Sequence, residues 1–154
     1  GYRLSTVRNA GMKLSTGNIL IFLDADIIPQ EKIFFIEILR KHYEEDNILL
    51  VHGIYDFNTK NLIGYFNKDE PWKIMGGGSC SVKKKTALKI GLFDENYNGE
   101  WGYEDTDWAY RAFSEKIRII YDKDIKSYHM PHVMVNYGSL NNYKYFIEKH
   151  GIKN

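Results

Sequence analysis

The chain has 154 residues, 44% hydrophobic and 15% aromatic, enough to bury one core and too apolar for a disordered chain. Its 21 basic and 20 acidic side chains leave a net charge of +1, which gives no footing for a nucleic-acid partner. The single cysteine, Cys80, excludes an internal disulfide, and no apolar run is long enough to cross a bilayer.

Ser5 or Thr6 is placed to cap a short helix running toward Lys13, with Gly17 as its stop. From Ile19 to Leu23, five consecutive apolar residues without helical spacing predict a strand buried on both faces. Pro29 precedes a predicted helix from Glu31 to Tyr43, with Ile33, Phe35, Ile36 and Leu39 as its apolar positions. Asn47 to Phe57 predicts another strand, and residues 58–75 a mixture of loop and short strand. Gly76-Gly77-Gly78 reads as a flexible break before a strand from Ser79 to Val82. The run Lys83-Lys84-Lys85 reads as the solvated start of a helix from Lys84 to Ile90, which Gly91 stops. A loop follows from Leu92 to Tyr103. Glu104 then opens a helix to about Glu115, with Trp108, Ala109, Ala112 and Phe113 as its buried side. Two short strands, Ile117 to Tyr121 and Lys126 to His129, precede a closing helix from Asn141 to His150. No internal repeat or linker interrupts this order, so residues 1–154 are expected to form one α/β domain with mixed strand directions.

Three clusters carry chemistry. Asp24 and Asp26 fall where the first strand leaves the sheet, the edge at which open α/β sheets bind ligands. Two carboxylates there suit a hard divalent cation and, through it, a phosphate-bearing substrate, although Asp is also common in turns. Glu104, Asp105 and Asp107 fall in the first turn of a helix, where acids complement the free amides and the dipole. That structural role suffices for Asp107. Glu104 and Asp105 follow Trp101-Gly102, a flat indole for a sugar face beside a hinge, so Asp105 is a candidate general base; Trp101 equally suits a core position. The third cluster is His129 and His132: imidazole with carboxylate suits Mn²⁺ better than Ca²⁺, and no cysteines complete a structural zinc pattern. Cys80 has no motif to support a nucleophilic role.

Together these stretches resemble the family 2 glycosyltransferases of the GT-A (nucleotide-diphospho-sugar transferase) fold. Val7-Arg8-Asn9-Ala10-Gly11 and Gly17 to Asp26 are similar to the segment leading into that family's Asp-x-Asp motif. Gly76-Gly77-Gly78, Phe93-Asp94-Glu95, Trp101 to Asp107 and Arg111 resemble the carboxyl-terminal domain of galactosyltransferases and the N-acetylgalactosaminyl transferase module of chondroitin polymerases. The resemblance implies a mixed sheet with flanking helices, Mn²⁺ or Mg²⁺ as cofactor, a UDP-sugar donor and a saccharide acceptor. It implies Asp26 and His129 as metal ligands, with His132 as the substitute for His129, and Asp24 near the donor's ribose or a metal-bound water. It further implies Asp105 as catalytic base, Glu104 orienting the acceptor, Trp101 closing over the donor sugar, Arg8 near the diphosphate, and Gly77 and Gly78 lining the donor site. Tyr103 stands where galactosyltransferases usually have Gly, so acceptor identity does not carry over.

The GT-A fold normally begins with uracil-binding strands that have no counterpart before Gly1. The expectation is therefore the carboxyl-terminal portion of a longer transferase that alone binds UDP-sugar weakly or not at all. Lack of a secretion leader points to the cytoplasm, with peripheral membrane association only through segments outside the sequence. Two rivals remain. A haloacid-dehalogenase-type phosphatase also uses Asp-x-Asp after a strand but usually has Thr or Val where Ile28 stands. A non-catalytic sugar-binding module, or a degenerate form of the fold, would keep Trp101 without needing Asp105 or the metal set.

Overall fold

A computed structural model describes residues 2–64, 66–75, 78–132 and 139–152. In chain order the elements are α1 (Leu4–Leu14), β1 (Ile19–Leu23), β2 (Ile27–Pro29), α2 (Lys32–Glu44), β3 (Ile48–Asp56), β4 (Leu62–Ile63), β5 (Ser79–Lys83), α3 (Lys84–Ile90), α4 (Glu104–Ser114), β6 (Arg118–His129) and α5 (Leu140–His150). Short 3₁₀ turns occupy Pro71–Ile74 and Glu95–Tyr97. The strands form one sheet in the order β1-β5-β3-β6-β2, with β4 added to the end of β3. β3 and β6 run parallel; the other pairings are antiparallel.

The apolar run that begins β3 explains its central place. Leu49 and Val51 join Leu20, Val82, Trp108, Ala109 and Ala112 on one face, under α3 and α4. Ile48 and Leu50 join Phe34, Ile38 and Ile125 on the other, under α2. A strand packed on both faces has no polar alternation to show, and this one has none. β1 is also packed on both faces but lies at the sheet edge, so most of it is only partly buried.

Several elements differ from the sequence reading. α1 starts at Leu4 with no side-chain cap: Ser5 and Thr6 instead donate to the Asp94 carbonyl and the Glu95 carboxylate, each at 2.8 Å. Ser15, not Gly17, follows its last turn. α2 buries Phe34, Ile38 and His42, while Ile33, Phe35, Ile36 and Leu39 are exposed. Its first turns are apolar nearly all round, so periodicity alone does not select the inner face. Phe113 of α4 is likewise exposed, resting against Trp72. The two short strands expected after α4 are one twelve-residue strand, β6, whose register slips opposite His52 and Gly53. A side chain at Gly53 would meet the Lys123 carbonyl at 2.5 Å, so this close approach requires glycine. The lysine run ends in specific partners: Lys83 and Lys85 reach Asp46 at 2.5 and 3.2 Å, and Lys84 donates to the Ser15 carbonyl. Among the described residues no helix is long and apolar enough to cross a membrane.

β2 is the element that the sequence conceals. Three residues, Ile27–Pro29, pair with Ser127–His129, where a turn alone was expected.

Candidate functional site

The β2–β6 pairing builds the first half of the site. Ile27 stands opposite His129, and the Met130 amide donates to the Asp26 carbonyl at 2.8 Å. That register brings Asp26 to the end of β6. His129 Nε2 lies 3.6 Å and His132 Nε2 3.1 Å from Asp26 Oδ2, and the candidate ligand atoms of all three residues fall within 4.8 Å of one another. Both histidines therefore join the set, rather than one replacing the other. One carboxylate with two imidazoles fits a divalent cation of intermediate hardness, and the second imidazole favours Mn²⁺ over Mg²⁺.

α1 supplies the second half. Its Asn9 exchanges hydrogen bonds with the Phe93 backbone, accepting at 2.8 Å and donating at 2.9 Å, and so fastens the helix to the loop before α4. The preceding residue, Arg8, donates to Glu104 at 2.5 Å and to Asp24 at 3.3 Å. The guanidinium expected near a diphosphate thus clamps two carboxylates together. Glu104 is 3% exposed, and its second oxygen, Oε2, is buried with no partner among the described residues. That oxygen has acceptor capacity left over from the Arg8 pairing. The Asp24 amide donates to the Gly78 carbonyl at 3.0 Å, which holds the strand end against the glycine segment. Gly77 lies outside the described residues.

The turn into α4 is left-handed at Gly102 (φ 96°) and again at Tyr103 (φ 72°). Asp105 follows, its Oδ1 accepting from the Thr106 amide at 2.6 Å and from the Thr106 hydroxyl at 3.3 Å. Helix-start amides favour an ionised carboxylate at this position. Burial, together with the adjacent Glu104, instead pushes it up to about 7, with Arg8 pulling the other way. Trp101 is 42% exposed at the head of this loop, its carbonyl held by the Ser139 amide at 2.9 Å. Cys80 is buried and its thiol pushed up to about 12, which rules out the nucleophilic role.

Asp107 has the structural role expected of it, in a form that its helix position did not disclose. It is fully buried and meets Lys149 at 2.7 Å, His150 at 2.8 Å and Arg111 at 2.9 Å. It therefore fastens α5 to α4. A second polar set was missed altogether: the Ser81 hydroxyl contacts His42 Nε2 and His52 Nε2, each at 2.9 Å, and His52 Nδ1 meets the Ser79 hydroxyl at 3.0 Å. No motif marks these residues, because they converge only once α2, β3 and β5 are stacked.

With this geometry in view, comparison with known proteins is informative. The family described as Glycosyl transferase family 2 matches residues 1–117, a span that includes Arg8, Asp24, Asp26, Glu104 and Asp105 and ends before His129 and His132. A chondroitin synthase of Pasteurella multocida (strain Pm70) is 25% identical over 158 aligned positions, covering 75% of this chain and 16% of that protein. A chondroitin synthase of Escherichia coli is 26% identical over 161 positions, covering 75% of this chain and 23% of the relative. The chain thus spans a quarter or less of either relative's length. Among solved structures, that of GalNAc-T7 with UDP, GalNAc and Mn²⁺ superposes with a TM-score of 0.71 at 16% identity, over 94% of this chain and 34% of that one. The shared architecture is the GT-A fold.

Proposed function

The chain belongs to glycosyl transferase family 2, and on that premise we propose that it carries the reaction centre of a metal-dependent, inverting transferase moving a hexose or N-acetylhexosamine from a UDP-sugar to a saccharide hydroxyl. The observation that carries the reading is the meeting of Asp26, His129 and His132 beside the Arg8 clamp on Asp24 and Glu104. UDP as the nucleotide is supported by the ligands of the GalNAc-T7 structure, and a growing polysaccharide as acceptor by the two chondroitin synthases. Family membership replaces the phosphatase alternative.

Asp26, His129 and His132 would hold a divalent cation, which when bound would supply Lewis-acid neutralisation of charge on the departing diphosphate. Arg8 keeps Glu104 and Asp24 fixed, so the carboxyl groups at the two strand and helix ends hold their spacing. The free Glu104 oxygen orients an acceptor hydroxyl. Asp105 takes that hydroxyl's proton as the oxygen attacks the anomeric carbon from the face opposite the leaving group, which inverts its configuration. A carboxyl poised near pH 7 is a stronger base than an ordinary one and is still largely ionised just above neutrality. Trp101 offers its exposed ring to the donor sugar.

The test is turnover of UDP-sugars by the full-length protein with and without Mn²⁺. Asp105→Asn should retain UDP binding and lose turnover, whereas Asp26→Asn should weaken metal-dependent donor binding. Undiminished turnover in Asp105→Asn refutes the base, and turnover indifferent to chelator refutes the metal role.

A further inference from the structure

A cleft of about 750 Å³ opens on the far side of the turn that carries Asp105. Its volume is that of an ordinary small-molecule site. The walls are the outer face of α4 (Tyr103, Thr106, Tyr110), the facing side of α5 (Tyr143, Phe146) and Trp72 from the 3₁₀ turn. Three observations bear on what it holds.

First, the lining is aromatic and nearly neutral. Trp72, Tyr110, Tyr143, Phe146 and Tyr103 offer flat apolar faces, and the charges on the rim, Glu70 and Lys73, pair with each other at 2.6 Å. A phosphorylated or strongly anionic occupant finds no cation reserved for it there. A sugar ring, apolar on its face and polar at its edge, matches rings that combine both characters. Second, Trp72 lines the cleft while its indole N–H is buried with no partner among the described residues. Third, the cleft adjoins the turn that carries Asp105. Thr106 lines it and also gives its amide and hydroxyl to Asp105. Tyr103, held in left-handed backbone that costs a non-glycine residue about 1 kcal/mol, sets its ring against Tyr143 and Phe146 at centroid distances of 5.5 and 6.1 Å. Backbone strain kept at such a junction is a mark of use.

We propose that this cleft is a subsite for the inner sugars of an extended saccharide acceptor, those behind the residue whose hydroxyl reacts. The proposal rests on the transferase reading and deepens it: the acceptor is a chain of several sugars rather than a monosaccharide. Ring faces of the chain lie on Trp72 and Tyr143.

Isothermal titration without UDP-sugar tests it, using a chondroitin tetrasaccharide, tetra-N-acetylchitotetraose and N-acetylglucosamine as probes. At least one tetrasaccharide should bind about tenfold or more tighter than the monosaccharide, a gain within reach of one or two aromatic contacts. Trp72→Ala and Tyr143→Ala should each remove most of that gain, and Trp72→Phe, which keeps a flat ring, should retain most of it. Circular dichroism confirms that each variant is folded; Tyr143→Ala carries the test if Trp72→Ala, which loses contacts to Tyr110 and Phe113, does not fold. Tetrasaccharides binding no tighter than the monosaccharide, or a gain that survives Tyr143→Ala, overturn the subsite. Tetrasaccharide binding that depends on these rings, in a protein with no Mn²⁺-dependent turnover of UDP-sugar, supports the subsite and sinks the transferase reading instead.

Discussion

Replacing Asp105 with Asn should make the protein more stable at alkaline pH and inactive at every pH. In the folded chain, burial and the neighbouring Glu104 carry the Asp105 carboxyl from an ordinary 3.8 up to about 7. The native state therefore binds this proton more tightly than the unfolded chain, and stability falls as pH rises from about 4 through 7. Above pH 7 the whole cost is present: about three pH units at 1.36 kcal/mol each gives about 4 kcal/mol. The carboxyl keeps partial solvent access, so about half, some 2 kcal/mol, is the working figure. Asn keeps the oxygen that accepts from Thr106 and has nothing to ionise. Thermal unfolding of both proteins at pH 8 should place Asp105→Asn about 4–8 °C higher, given roughly 2–4 °C per kcal/mol at this chain length. At pH 5 most of the cost is relieved in the wild type, and the gap should shrink below about half. A gap that does not change with pH, or a variant less stable at pH 8, refutes the claim that this carboxyl is held against its own ionisation.

Four other outcomes are expected. Ser81→Ala strips the hydroxyl shared by His42 and His52 and should cost about 2–4 kcal/mol in urea unfolding, since two buried ring nitrogens lose their partner. Burial holds His42 down to about 4 and His52 to about 3, so the unfolded chain, titrating near 6.5, takes up protons that the native state refuses; stability in the Asp105→Asn background, where the opposing carboxyl is absent, should fall as pH drops from about 6 to 4. Gly53→Ala drives a methyl into the Lys123 carbonyl and should lower the melting temperature by an amount equivalent to about 1–3 kcal/mol. Finally, His132→Ala should weaken Mn²⁺ binding about tenfold or more, as measured by titration with the metal alone; equal affinity would remove His132 from the ligand set.

The parts of the fold legible in the sequence are those decided by local chemistry. α3 ends where Gly91 takes up φ 89°, and α4 begins at the acidic turn, because both signals are carried by adjacent residues. β3 was readable because four apolar residues in a row have few other uses. What escaped depends on partners distant in the chain. β2 is three residues long and exists only through Ser127–His129. The inner face of α2 was misjudged because Ile33, Phe35, Ile36 and Leu39 compete with Phe34 and Ile38 for the same periodicity. The site divides in the same way. Residue type and order point to Asp24, Asp26, Glu104, Asp105 and His129. The spacing of His129 and His132 also marks them as a pair; that Asp26 meets both, and that Arg8 bridges Asp24 and Glu104, are consequences of register and packing that no spacing encodes.

The first turn of α4 faces two ways. Asp105 is held by Thr106, which lines the cleft, while Asp107, two positions on, is sunk among Arg111, Lys149 and His150. A single turn of backbone thus serves both the reacting end of the molecule and the bolt that secures its terminal helix. Sequence changes in α5 at Lys149 or His150 remove partners of Asp107 in the same helical turn that carries Asp105. Trimming or swapping that terminal segment in an engineered transferase therefore amounts to retuning its chemistry.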